Sequence, residues 1–495
     1  MTQQPYYMAR LGSKTAASLL EYSENKHLKR ELRQFDEYIW VDLAHCVMLS
    51  EAGIIETSHA AVIGDGLIEI RGSGFRNAVI DAGAGSLLLQ VEAELGRKIG
   101  TETAGMLHTA RSRLDQGPTA RRMFKRRRVL DVMESILACS ERLSDVADAH
   151  RETLMPGFTC LQHAHPTTFG HYLTSVQDRL LEQCEKLAQG YARLNRSPLG
   201  AVGLSGTTWP IDRNRTAELL GFSTYIPHAR VARDAYYTAE IVAVLSLVMS
   251  ILSDLSTDLA LWSSGEFNLV ELHSSFCSTS SIFPNKKNPT SLDAIRAEAG
   301  QATQWFSGLL AKFRGYGTSD VVLQEAEIID EAFDLVSASL DLSAEIVTSL
   351  EVNVPAMRSS AASGWTTASC LADHLFKVHS VPYRKGYSLV ALLVRHAAEQ
   401  SKTKTEIEAD QVNALASNLG ISARLTQPEL DAALDAGAFV NAAMSAGGCS
   451  PLEVSRLLET YRGVVREQRA FIGERRGEIE AAWATTLLAV KNLKA

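Results

Sequence analysis

The sequence predicts an all-α protein, and three observations carry that prediction. Ala, Leu and Glu are abundant and aromatic residues make up only 7% of the chain, a composition that favours helices. Apolar residues recur at three- and four-residue spacing over long stretches punctuated by Gly or Pro. No alternating strands, βαβ units or internal repeats are visible. At 495 residues the chain is longer than one hydrophobic core usually holds, so two or three domains are expected.

The elements follow in order. From Leu28 to about Ile70 the pattern is helical, with Trp40, Leu43, Ala44, Met48 and Leu49 on one spacing and Gly53 as punctuation. Gly72, Gly74, Gly83 and Gly85 mark a loop region, and Leu87 to Lys98 forms a second helical run closed by Gly100. Ala120 to Met155 reads as one long helix with an apolar stripe of Val129, Leu130, Val132, Met133, Ile136 and Leu137, ended by Pro156 and Gly157. Another long helix starts near Gly170. Tyr236 to Trp262 is apolar almost all round, as expected for a helix buried inside a multi-subunit bundle. Asp254 and Asp258 interrupt its most apolar part, which argues against a membrane span.

Composition excludes several functions. The net charge of −8 is small for this length, and the one basic run, Arg121 to Arg128, reads as a solvated helix face rather than a nucleic-acid patch. Seven scattered cysteines with no metal-type spacing fit a reducing cytoplasm and argue against structural zinc. The first residues, MTQQPYYMARLGSK, lack the apolar run of a signal peptide.

Two polar stretches stand apart from this helical background. Cys277 to Arg296, CSTSSIFPNKKNPTSLDAIR, is too polar for a core strand and passes into a helix with Leu292, Ile295 and Ala299 at helical spacing. Its hydroxyls at Ser278, Thr279, Ser280 and Ser281 could surround an anion, with Lys286 adding a cation and Asn288 an amide donor. Such a loop suits removal of a proton from carbon beside a carboxylate, where a second negative charge must be absorbed. A serine in the same field could act as the base. The same composition also fits a solvated loop. Leu107 to Gln116, LHTARSRLDQ, holds Arg111 and Arg113 around Ser112, which could bind a carboxylate by paired donors or form an exposed basic helix start.

Ser278 to Pro289 resembles the G-S-S-x-M-P-x-K-x-N signature of the fumarase/aspartase superfamily, and its KKNP ending resembles the argininosuccinate lyase branch. Thr279 stands where glycine is usual and Phe283 where methionine is usual. The resemblance implies Ser280 as catalytic base, with Lys286 and Asn288 beside it. His108 to Gln116 resembles H-T-G-R-S-R-N-D-Q with two mismatches, which implies Ser112 and Arg113 as substrate-binding. Leu114 stands where the family has a site asparagine. Thr159 to Pro166, TCLQHAHP, resembles T-H-L-Q-x-A-x-P, so Thr159 is implied to bind a substrate carboxylate, while Cys160 replaces the site histidine. Cys160, His163 and His165 are the candidates for the lost proton donor or relay. The family's upstream E-D-x-H element aligns with Gly85 to Leu88, without its histidine. Leu323 to Glu325 resembles L-Q-E, which implies Gln324 on the substrate side, whereas Ser319 and Glu327 replace the family's tyrosine and lysine.

The resemblance covers nearly the whole chain. It implies a three-domain, homotetrameric fold with a central long-helix bundle: residues 1–116 as an N-terminal helical domain, 117–368 as the bundle and 369–495 as a small C-terminal helical domain. It also implies active sites shared between chains, no cofactor and no metal. The expected reaction is carbon–nitrogen lysis of an N-substituted aspartate to an amine and fumarate, or the reverse addition, with Ser281 helping to hold the charge. The departures gather around the leaving amine, so the expected partner is not arginine. The alternatives are unaltered argininosuccinate cleavage and a catalytically silent scaffold or partner of an active paralogue. Neither nucleic acid nor a membrane is expected as a partner.

Overall fold

The computed structural model describes residues 13–75, 81–314 and 328–494. Helices dominate: α1 (Phe35–Glu51), α2 (Arg113–Ala149), α3 (Phe169–Leu194), α4 (Tyr236–Trp262), α5 (Thr290–Ala302), α6 (Ile328–Thr348), α7 (Ala368–His379), α8 (Tyr383–Glu399), α9 (Gln427–Leu434) and α10 (Pro451–Asn492). The long members α2, α3, α4, α6 and α10 pack together around one large core. A separate small core runs from Leu371 to Leu434. Residues 369–495 therefore contribute to two cores, since Val454, Leu458, Val465 and Ile472 of α10 belong to the large one.

Helix α2 spans 37 residues, which at 1.5 Å per residue is about 55 Å. Its start is set by Ser112, whose Oγ accepts from Leu114 N, while Asp115 accepts from Ser112 N in a reciprocal capping box. It ends at Ala149, short of the expected Met155. Beyond it lies a β-hairpin of β1 (Leu154–Thr159) and β2 (Gln162–Thr168), which the helical reading missed. Gly157 is required there, because a Cβ would stand 2.4 Å from the His165 carbonyl oxygen.

The directions of the helices follow from their contacts. Arg122, early in α2, donates to the carbonyls of Arg193 and Leu194 at the end of α3, and its guanidinium lies 3.9 Å from the Tyr237 ring at the start of α4. At the other end, Tyr172 donates to Asp258 at 2.7 Å and stacks edge-on against Trp262. Thus α2 and α4 run one way and α3 returns between them.

The basic run is not a solvated face. Arg122, Lys125 and Arg126 are buried, and Arg126 donates to Asn195 Oδ1 and to the carbonyls of Leu220 and Gly221 while lying over Phe222. Guanidinium donors here satisfy carbonyls at helix ends that would otherwise be orphaned. Helix α4 has the boundaries expected of it. Among the described residues, Ala229–Trp262 is the stretch long and apolar enough to cross a membrane, and it packs against α3, α5 and α6. Its outer face leaves Tyr236 and Leu247 exposed, as are Phe306 and Leu310 on the neighbouring helix Trp305–Phe313.

Candidate active site

Three loci carry the residues expected at the site. The first is the N-terminus of α2. Ser112 is half-buried and Arg113 exposed, at the positive end of a long helix dipole, a place suited to a carboxylate. Arg111 does not join Arg113 in a fork. It is buried and committed to an ion pair with Asp42 of α1, which also accepts from Gln116 Nε2. Asp115 accepts from the backbone N–H of Ser112, Gly200 and Val202 at 2.8 to 2.9 Å, which ties the 198–206 loop to the helix start. Burial raises the Asp115 carboxyl to about 6 against those donors. His45 of α1 meets the Thr109 carbonyl oxygen at 2.8 Å, and burial pushes its imidazole down to about 3, so it is neutral. His108 Nδ1 meets Glu92 at 2.8 Å. Leu114 is half-buried in the first turn of α2.

Asp212, Arg213 and Arg215 are used within the chain. Asp212 caps the helix Arg213–Leu219, Arg213 donates to the Leu199 carbonyl, and Arg215 pairs with Glu51 and Glu218.

The second locus is the tip of the β1–β2 hairpin. Thr159 and Gln162 pair across a two-residue turn made by Cys160 and Leu161, with φ of 52° and 57°. Such turns favour Asn-Gly, and two non-glycine residues with positive φ store strain at this tip. Side chains alternate along β2, so His163 and His165 lie on the face opposite Thr159 and Gln162. His163 packs on Phe158, and His165 Nε2 meets Ser369 Oγ at 2.5 Å. Both line a cavity of about 490 Å³ with Trp365, Thr366 and Tyr387. Of the three proposed relays, Cys160 alone adjoins Thr159.

The third locus is the signature loop. A short hairpin of β3 (Ser278–Thr279) and β4 (Lys287–Asn288) sets Ser278 opposite Asn288. Ser280 is half-buried at its mouth, and its Oγ accepts from Ile282 N at 3.3 Å and Phe283 N at 3.0 Å. Ser281 and Lys286 are exposed, as are the apolar side chains of Ile282 and Phe283. Lys287, the neighbouring cation, is spent on Glu271 at 2.8 Å. Thr279 adopts extended backbone in β3, so the glycine usual at that position is not needed for the path of the loop.

Phe158 meets Phe267 beyond the end of α4, which places the second and third loci at the same end of the bundle. Ser112 lies at the opposite end, the length of α2 away. Among the described residues, no hydrogen bond joins Ser112 to Thr159 or Ser280 within one chain. Gln324, Ser319 and Glu327 lie outside the described residues. The sequence reading missed Asp42 and His45, which build the frame under Ser112. No local motif marks them, because their partners lie more than sixty positions downstream.

Residues 12–303 match a family model described as Lyase. The argininosuccinate lyase of Methanococcoides burtonii is 33% identical over 92% of this chain and 91% of its own, and that of Methanosarcina acetivorans is 32% identical over 97% and 96%. Among solved structures, EDDS lyase in complex with formate superposes with a TM-score of 0.87 at 29% identity, covering 98% of this chain and 97% of its own. A variant of EDDS lyase with bound fumarate superposes equally well, at 29% identity and over 99% and 98% of the two chains. A helical bundle, a serine-bearing signature loop and full-length relatives agree: the chain belongs to the Lyase family, in the argininosuccinate lyase branch of the fumarase/aspartase superfamily.

Proposed function

We propose that the protein is a carbon–nitrogen lyase that releases an amine and fumarate from an N-substituted aspartate, or joins them in reverse. The observation that carries this reading is the environment of Ser280. Its oxygen already accepts two backbone N–H groups, and donors aimed at an oxygen favour its anionic form. The Ser280 alkoxide takes the β-proton. The electron pair moves into the adjoining carboxylate, where Lys286, Asn288 and Ser281 receive the charge. Collapse of that species forms the carbon–carbon double bond and breaks the carbon–nitrogen bond, and the amine leaves with a proton supplied from the Cys160 side. Ser112, Arg113 and Thr159 hold the second carboxylate, and Gln324 stands on the substrate side. The reaction needs no cofactor.

The separation of about 55 Å between the ends of α2 supports a site assembled from different chains, in a homotetramer whose central helices share one bundle. The exposed Tyr236, Leu247, Phe306 and Leu310 supply apolar surface for that assembly. The free state of all seven cysteines among the described residues supports a cytoplasmic setting. The fumarate bound to the EDDS lyase variant supports fumarate as a ligand here, and Leu114 and Cys160, at positions where the branch has asparagine and histidine, support an amine other than arginine. Argininosuccinate cleavage is the second reading, favoured by the relatives at 32–33% identity.

The test offers purified protein a panel of N-substituted aspartates, argininosuccinate among them, and follows fumarate absorbance. Release from a member other than argininosuccinate is expected, and Ser280→Ala should lower kcat about 10²- to 10⁴-fold. Turnover of argininosuccinate alone establishes the second reading. Full activity in Ser280→Ala overturns Ser280 as the base, and no reaction with any amine in either direction overturns the proposal and leaves a scaffold.

A further inference from the structure

The small C-terminal core carries a cluster that sequence spacing did not reveal. His374 and His379 sit five residues apart at the end of α7, and Glu429 is in the first turn of α9. One ligand atom from each lies within 4.8 Å of the others. His379 Nε2 is 3.5 Å from Glu429 Oε1, and the His374 and His379 Nε2 atoms are both buried without a hydrogen-bond partner. Two imidazole nitrogens brought together with nothing between them waste two polar groups unless a third party accepts their lone pairs.

We propose that His374, His379 and Glu429 bind a divalent transition-metal ion, zinc first, as a structural clip between α7 and α9. Tetrahedral zinc with bonds of about 2.0–2.2 Å sets its donors about 3.3–3.6 Å apart. The His379–Glu429 separation already fits, and rotation of His374, whose ligand atom lies within 4.8 Å of both, closes the other two edges. Two imidazoles and a carboxylate suit Zn²⁺, Co²⁺ and Ni²⁺ rather than Mg²⁺ or Ca²⁺, with the fourth position left to water.

The supporting shell is in place. Glu429 Oε2 accepts from Thr426 N at 2.8 Å and Thr426 Oγ1 at 2.7 Å, which fixes the carboxylate and leaves Oε1 for the metal. The chain turns at Ser380, with φ of 55°, directly after His379. The metal would pin this turn to the start of α9, around the core that includes Leu375 and Leu430. None of these residues belongs to the three loci of the active site.

The test uses full-length protein stripped with a chelator and then freed of it. Calorimetric titration with Zn²⁺ should show one ion per chain and a raised thermal midpoint, and Co²⁺ should give the visible absorption of a tetrahedral site. His374→Asn and His379→Asn should each abolish the cobalt spectrum, and Thr426→Ala should weaken Zn²⁺ about 10- to 100-fold. If the histidine variants do not fold, Glu429→Gln, which keeps a hydrogen-bond acceptor for Thr426, carries the same expectation of lost binding. Fumarate-forming activity should be unchanged in all four. Substoichiometric zinc in the parent protein, or undiminished Zn²⁺ affinity in the folded variants, overturns the proposal.

Discussion

Replacing Arg111 by Met probes the frame that carries Ser112. Asp42 is 1% exposed, and its Oδ1 accepts from both Arg111 and Gln116. Burial raises its carboxyl above the ordinary value, and the Arg111 charge is the largest influence opposing that rise. Without the guanidinium the buried carboxylate keeps only the Gln116 amide, and removing one partner of a buried pair costs about 3–5 kcal/mol. Asp42→Asn leaves the converse, a buried guanidinium whose Nε and Nη2 already lack partners. Its cost falls in the same range of about 3–5 kcal/mol. The double variant removes both charges and should cost far less than the sum, giving a coupling of about 3 kcal/mol or more. Urea unfolding of all four proteins, at one protein concentration and followed by far-UV circular dichroism, measures the cycle. Single variants within about 1 kcal/mol of the parent, or a double variant equal to the sum of the singles, would refute the reasoning.

Two further outcomes are expected. His45 has a folded value of about 3 against 6.5 when unfolded, so its contribution is present above pH 6.5 and drains as pH falls towards 3. His45→Gln should flatten that acid limb by up to about 1.4 kcal/mol per pH unit, and urea midpoints that run parallel in the two proteins would contradict this. Gly157→Ala drives a methyl against the His165 carbonyl, so the hairpin must open at a cost of about 1–3 kcal/mol, with loss of fumarate release. An unchanged melting temperature with full activity would count against the hairpin's role.

Much of the architecture was legible in the chain. Helix α4 is apolar on most sides and long enough to be read without context, whereas α2, expected from Ala120, starts at Arg113 behind the Ser112–Asp115 capping box. The signature loop stood out by its hydroxyls, ammonium and amide around two prolines, but that composition also fits a solvated loop, and the family resemblance is what implied a site there. The β1–β2 hairpin was not legible. Its strands read LMPGFT and QHAHPTT without alternation, and its turn is Cys-Leu rather than a recognised turn pair.

Residue type, helical period and capping are local properties, so the sequence by itself determined the helical class, the long elements and the kinds of groups available for chemistry. What only the tertiary structure decided is which of those groups are spent and which are free. The helical pattern of Arg121 to Arg128 cannot say that carbonyls from Leu220 and Gly221 arrive to bury Arg126. Nor can it say that Asp42 claims Arg111, or that His374 and His379 meet Glu429 fifty residues on. Hydrogen bonding and burial depend on the partner that folding delivers, and that partner is distant in the chain.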